Sequence, residues 1–545
     1  MLFLLKKTSF VIGFMLLNIS LLAAADQPQL VFAKKTPIIS SSLSNYLNTT
    51  KELQIPVWIF FTDKGISTQR EYRHAVEASA PMLTQRALAR RKKVMKGELL
   101  TFEDLPVHDA YIVELKNQGF EKRHISKWLN AVSGFLPRNN LSAAANLPFV
   151  REISLLHKTR RKPQPQYDAP PGEKPSGVDS LDYGNSFEQL QQINVPAVQE
   201  LGYTGKGVII CMLDVGFNLS HEALQHIDKI AEHDFIFDDD TTSNQEGDAP
   251  TQQNHGTETL SVIGGAKAGK LYGPAYEASF ILAKTEDVRS ETPIEEDNWV
   301  AAIEWAEGLG ADVSSTSLGY YDWYTYEDMD GNTSVMTRAA DLAVARGVVV
   351  VVAAGNERNT TWHYIGAPAD GDSVISAGAV TSSGIISNFS SAGPTFDGRI
   401  KPEVVAMGVG VRCADPYDAQ GYRNLSGTSF ACPLTAGVAA LLVQAHPTWT
   451  PMQVREALML TADRADNPDN LYGWGLVDAL AALKYRQKGD VDGNDLIDDN
   501  DVVMAGKIAL NNAGFEHEAV VAADLNDDGQ VDVLDVVNLA RKIKN

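Results

Sequence analysis

The chain has 545 residues, a formal net charge of −22 at pH 7, and 44% hydrophobic and 21% charged residues. That length exceeds one ordinary core and predicts several domains, at least one of them large enough to bury a full parallel sheet. The acidic balance excludes nucleic acid as the main partner, because phosphate recognition needs exposed clusters of Lys and Arg.

Lys6 and Lys7 precede an apolar run from Val11 to Leu22, which ends in Ala23, Ala24 and Ala25 before Asp26. This is the pattern of a secretory signal peptide over residues 1–25. With that leader removed, no other segment is long and apolar enough to span a bilayer, which predicts a secreted product, extracellular or associated with the cell surface. Three cysteines, Cys211, Cys413 and Cys432, cannot make the disulfide framework of a small secreted domain. They read as buried small hydrophobes, with a bridge between Cys413 and Cys432 left open.

Residues 26 to about 55 lack sustained periodicity and read as a leader to the first folded unit. From Pro56 the pattern predicts a small α+β domain: a strand at 57–61, a basic helix at 82–93, a strand at 111–115, a segment around 128–135 and an apolar end at 149–153. Arg86, Arg90, Arg91, Lys92 and Lys93 read as the solvated face of the helix, or as a complement to an acidic partner domain. The basic run 158–162 and the prolines and glycines that follow to Gly177 read as a linker and a zone of proteolytic maturation.

Between residues 205 and 483 short apolar runs alternate with helical ones, which predicts an α/β fold with a parallel sheet and helices on both faces. Strand candidates fall at 208–213, 280–283, 312–316, 348–353 and 374–377. Ligands bind such sheets beyond the carboxyl ends of the strands. Ser429 stands directly before an apolar helix at 434–445, where backbone N–H groups and the helix dipole favour developing negative charge. Pro433 reads as a first-turn residue of that helix. A serine hydroxyl needs a base, and His255 in Asn254-His255-Gly256-Thr257 opens a helix suited to supply one. Asp214, at the end of a buried strand, is the carboxylate that would orient the imidazole. Asn356, after five consecutive valines and Ala353-Ala354-Gly355, is placed to donate to an oxyanion. Taken singly, a helix cap, a strand-end turn and a turn Asn are equally good readings.

Asp, His, Asn and Ser in this order and in these contexts resemble the subtilase family of serine proteases. Phe389-Ser390-Ser391-Ala392-Gly393-Pro394 and Tyr472-Gly473-Trp474-Gly475 extend the resemblance over most of residues 205–483. The resemblance implies a serine endopeptidase, a hydrolase acting on peptide bonds of proteins through an acyl-enzyme, with no cofactor for catalysis. It further implies that Ser317, Leu318 and Gly319, with Ala353, Ala354 and Gly355, form the walls of a substrate cleft. Val215, where the family more often has Ser or Thr, is a departure that removes one hydroxyl beside the carboxylate. Residues 56 to about 157 resemble a subtilase propeptide, which implies a self-processing proenzyme inhibited by its own amino-terminal domain.

After a junction at 484–488 the composition turns acidic. Asp490, Asp492, Asn494, Asp498 and Asp501 occupy positions 1, 3, 5, 9 and 12 of a calcium loop, with Leu496 adding a backbone carbonyl at position 7. Asp524, Asn526, Asp528, Gln530, Asp532 and Asp535 repeat the spacing, with Gly529 at the sharp turn of position 6. The first loop carries Asp495 there, which predicts a weakened or reshaped site. Each loop leads into a short helix, and the pair resembles a type I dockerin, implying Ca²⁺ binding, calcium-dependent folding and a cohesin-type partner. The predicted organisation is therefore a signal peptide at 1–25, a propeptide region at 26–175, a catalytic domain at 185–484 and a small all-α calcium module at 489–545.

Overall fold

The computed structural model describes residues 38–157, 181–289, 295–510, 514–526 and 528–544. The signal-peptide reading at 1–25 and the maturation zone at 158–177 lie outside them. The chain divides into two compact units, one made of 1–80 with 100–155, the other of 81–99 with 156–545.

The smaller unit is an α+β domain. Its sheet has the order β1-β5-β2-β4-β3, with β1 (Ile38–Ile39), β2 (Gln54–Phe61), β3 (Glu121–Ser126), β4 (Ala131–Pro137) and β5 (Val150–Leu155). Pro56 lacks an N–H for the ladder and sits where β2 pairs with β4 but not yet with β5. Folded structure starts earlier than the composition predicts: helix α1 (Ser41–Thr49), capped by the Ser40 hydroxyl, buries Leu43 in the core. The strand expected at 111–115 is instead part of helix α2 (Asp109–Asn117). Ile112 and Leu115 face the core one helical turn apart while Val113 is exposed, so the 3.6-residue period wins over an apparent alternation.

The larger unit carries a seven-stranded sheet of order β12-β11-β10-β9-β6-β8-β7, parallel throughout. Its strands are β6 (Ile209–Asp214), β7 (Asp228–Asp234), β8 (Ser279–Lys284), β9 (Val313–Thr316), β10 (Val349–Ala353), β11 (Ile375–Val380) and β12 (Val404–Met407). The five predicted strands are all present. Edge strand β7 lacked an apolar run because its exposed half is Asp228, Lys229 and Ile230. Helices flank the sheet, among them α3 (Asn254–Gly264), α4 (Glu296–Leu309), α5 (Val335–Ala345) and α6 (Thr428–Ala445). Among the described residues α6 alone is long and apolar enough to cross a membrane, and it is mostly buried in this core. All three cysteines are buried and free, so Cys413 and Cys432 are not bridged.

Residues 81–99 form part of this larger unit, and their basic helix (Gln85–Arg91) is not solvated along its arginines. Arg91 is fully buried and donates from Nε and Nη2 to the two carboxylate oxygens of Glu307 at 2.8 and 2.7 Å. Arg90 pairs with the same carboxylate and also donates to the carbonyls of Glu307, Ala311 and Arg346, at the carboxyl ends of α4 and α5. A fully buried glutamate needs this pairing, and the two guanidinium groups need it equally.

At the carboxyl end, helices α7 (Asp499–Leu510), α8 (His517–Ala523) and α9 (Val533–Lys544) close over Val491, Ala505, Ile508, Ala519, Ala523 and Leu539. This small helical module belongs to the larger unit.

Candidate active site

Strand β6 ends at Asp214, whose carboxylate is fully buried. The ring of His255, the second residue of α3, donates from Nδ1 to Asp214 Oδ1 at 2.8 Å. The Val215 N–H donates to the same oxygen at 2.8 Å, and the Thr259 hydroxyl to Oδ2 at 2.9 Å. Thr259, one turn along α3 from His255, supplies a hydroxyl to the carboxylate, and its i+4 spacing is the signal by which it is legible. With Nδ1 committed to the carboxylate, the basic lone pair is on Nε2, which is buried and makes no hydrogen bond. Gly256 permits this approach, since a Cβ there would stand 2.2 Å from the Gly216 carbonyl oxygen.

Helix α6 begins at Thr428, so Ser429 lies inside its first turn and Pro433 inside the helix proper, not in the first turn as expected. Pro433 has no N–H for the carbonyl four residues back, which is that of Ser429. The Ser317 hydroxyl donates to that carbonyl at 2.8 Å, and the Ser429 hydroxyl donates to the Ser317 carbonyl at 3.2 Å. Asn356 follows β10 by three residues, and its Oδ1 accepts from the Thr428 N–H at 2.9 Å and the Thr428 hydroxyl at 3.1 Å. Those bonds hold the amide oxygen and so orient the side chain.

Of the six wall residues, Ser317, Leu318, Ala353 and Ala354 are buried, and the Ala354 N–H is already taken by the Ala377 carbonyl. Gly319 is exposed with open space at its Cβ position, and Gly355, partly exposed, has a φ of 107°, which a side chain would strain. The aromatic run after Gly319 escaped the sequence reading. His157 stacks on Trp323 with ring centroids 5.3 Å apart and lies against Tyr324, while Leu156 is fully buried. Burial alone pushes the His157 imidazole down to about 3. The Tyr324 hydroxyl donates to Glu296, whose carboxyl burial pushes up to about 7.

One turn after His255, Glu258 is buried with neither carboxylate oxygen hydrogen-bonded, and Arg423 Nη1 stands 3.6 Å away. Burial pushes this carboxyl up to about 7.

In the helical module the two acidic loops fold alike. The carboxylate at position 12 accepts from the N–H groups at positions 2, 3 and 9: Asp501 from Val491, Asp492 and Asp498, and Asp535 from Leu525, Asn526 and Asp532. Carboxylate oxygens of Asp490, Asp492 and Asp501 lie within 4.8 Å of one another. Burial and the neighbouring Asp501 charge push Asp490 and Asp492 above the usual carboxylate range. An all-oxygen donor set with uncompensated negative charge fits Ca²⁺.

A buried carboxylate, an imidazole and a serine in the first turn of a helix, gathered at the carboxyl ends of parallel strands, define an α/β serine hydrolase. Residues 205–475 match the Subtilase family, and residues 56–169 match the peptidase S8 propeptide domain of Bacteroidota. Subtilisin E of Bacillus subtilis (strain 168) is 35% identical over 308 residues, spanning 56% of this chain and 72% of that protein. The subtilisin of Bacillus pumilus is 33% identical over 308 residues, spanning 56% of this chain and 99% of that protein. The chain belongs to the subtilase family, peptidase S8, and is a serine peptidase made with a propeptide. Fervidolysin of Fervidobacterium pennivorans, described as a keratinolytic enzyme related to subtilisin, shares the fold with a TM-score of 0.57 and 22% identity, over 86% of this chain and 68% of that one.

Proposed function

We propose that the protein is a secreted, self-processing endopeptidase in which Ser429 attacks the scissile carbonyl and His255 accepts its proton through Nε2. Asp214 holds the His255 tautomer and stabilises the imidazolium as the proton arrives. The Ser429 N–H and the Asn356 NH₂ receive the oxyanion, and the resulting acyl-enzyme is released by water. Gly319 and Gly355 offer backbone edges for an extended peptide. The single observation that carries this reading is the 2.8 Å bond from His255 Nδ1 to buried Asp214, with Nε2 left as the base.

A fluorophosphonate probe is expected to label Ser429, and Ser429→Ala to abolish both labelling and appearance of a shortened mature form. Purified protein that neither labels nor cleaves unfolded protein would sink the assignment.

For the carboxyl-terminal module we infer Ca²⁺ at Asp490, Asp492, Asn494, Leu496, Asp498 and Asp501, and at Asp524, Asn526, Asp528, Gln530, Asp532 and Asp535. Bound calcium neutralises the loops and fixes the flanking helices. Exposed Val533, Leu534 and Val537 on α9 support a docking face for a cohesin-type partner. Calorimetry of the full chain with Ca²⁺ tests the metal, and absence of heat rejects it.

A further inference from the structure

The two acidic loops carry different residues at position 6, and in the first loop that residue touches the catalytic domain. Asp495 and Gly529 both stand at position 6, both with left-handed backbone, φ 66° and 82°. Both donate their N–H to the carboxylate at position 1, Asp495 to Asp490 at 3.0 Å and Gly529 to Asp524 at 2.9 Å. Glycine adopts this conformation without penalty, whereas an aspartate there is uncommon.

The Asp495 side chain accounts for the exception. Its Oδ1 accepts from the Trp449 indole N–H at 2.9 Å and bonds His446 Nδ1 at 2.8 Å. His446 also bonds the Leu483 carbonyl through Nε2 at 2.9 Å and stacks on Trp449 with ring centroids 3.8 Å apart. Both ring nitrogens face oxygen atoms, Asp495 Oδ1 and the Leu483 carbonyl. His446 is the C-cap of α6, the helix whose first turn carries Ser429.

We propose that Asp495 makes the first loop an intramolecular clamp, fastening the calcium module to the far end of the nucleophile helix so that filling the loop stabilises the catalytic domain. One residue spans the connection: its N–H fixes the position-1 carboxylate, and its carboxylate fixes the C-cap. The helix of 18 residues is about 27 Å long, so the clamp acts on the support of the site and not on its chemistry. The coupling rests on the calcium reading above; the contact itself does not.

Hydrogen exchange of the full chain in a Ser429→Ala background, with and without Ca²⁺, reads the clamp at residues 443–449. Calcium is expected to slow exchange there about tenfold in the unaltered loop, in keeping with charge-assisted hydrogen bonds gained or tightened. Asp495→Gly suits the backbone of position 6, retains calcium heat by calorimetry and loses that protection. His446→Phe, which keeps a ring against Trp449 but no hydrogen bond, is expected to behave the same way. Normal calcium heat with equal protection in Asp495→Gly and the parent overturns the coupling alone. A flat calorimetric trace with the parent overturns the calcium reading, and the coupling with it.

Discussion

Ser317 and Ser429 exchange hydrogen bonds, the Ser317 hydroxyl donating to the Ser429 carbonyl at 2.8 Å and the Ser429 hydroxyl to the Ser317 carbonyl at 3.2 Å. The exchange follows from Pro433, which cannot serve the Ser429 carbonyl from within α6. Ser317→Ala removes that donor from a buried acceptor, at a cost of about 1–3 kcal/mol. Thermal melting should register the loss, and kcat should fall more than KM changes, because the nucleophile's backbone is what loosens. A variant as stable and as fast as the parent would show that the carbonyl is satisfied without Ser317.

Glu307 is the sole carboxylate that the structure pairs with both Arg90 and Arg91 among the described residues. Glu307→Gln leaves two buried guanidinium groups short of charge, which typically costs about 3–5 kcal/mol. Urea unfolding of the precursor carrying Ser429→Ala should reveal that loss. In protein lacking residues 38–157 the same substitution should be far milder, because the arginines are gone. Equal losses in both forms would place the role of Glu307 elsewhere.

His157 is held neutral in an aromatic setting, with its imidazole pushed down to about 3 by burial. A group lowered in the folded state contributes stability that is complete above its free value near 6.5 and is lost as pH falls toward the folded value. Seating of residues 156–157 should therefore weaken below pH 6.5, by up to about 1.4 kcal/mol per pH unit. Hydrogen exchange at the end of β5 between pH 7 and 4 measures this. His157→Phe should flatten the profile; an unchanged slope would remove His157 as its cause.

Legibility from sequence followed the physics of each element. Strands β6, β8 and β10 announced themselves because a parallel strand covered on both faces carries a continuous apolar run. The candidate acid, base, serine and amide could be singled out because each stands near where a strand ends or a helix begins. For Arg90 and Arg91 the solvated reading failed and the alternative of an acidic complement agrees with the structure, but the partner itself, Glu307, was not legible because it is more than 200 residues away along the chain. Asp495 was read as a defect of its own loop, because a pattern of loop ligands says nothing of what packs outside the loop. Thr259 lay within reach of a helical-spacing argument and was passed over for the hydroxyl missing at Val215.

Glu258 presents a carboxyl with no hydrogen bond in the turn after His255, and the charged groups facing it are His255, Arg423, Asp214 and Asp415. Burial pushes it from 4.5 up to about 7. A carboxyl raised in the folded state contributes stability that is complete below the unfolded value and is lost as pH rises through the folded one. Between pH 4.5 and 7 the parent should therefore lose stability from this group, of order 3 kcal/mol by the size of the change. Glu258→Gln removes the titration, so its melting temperature should exceed the parent's at pH 8 and converge with it near pH 4. Calorimetry in the Ser429→Ala background across that range decides the matter. Curves that run parallel would mean that Arg423 fully compensates the buried charge, and that the turn after the catalytic histidine carries no pH dependence of its own.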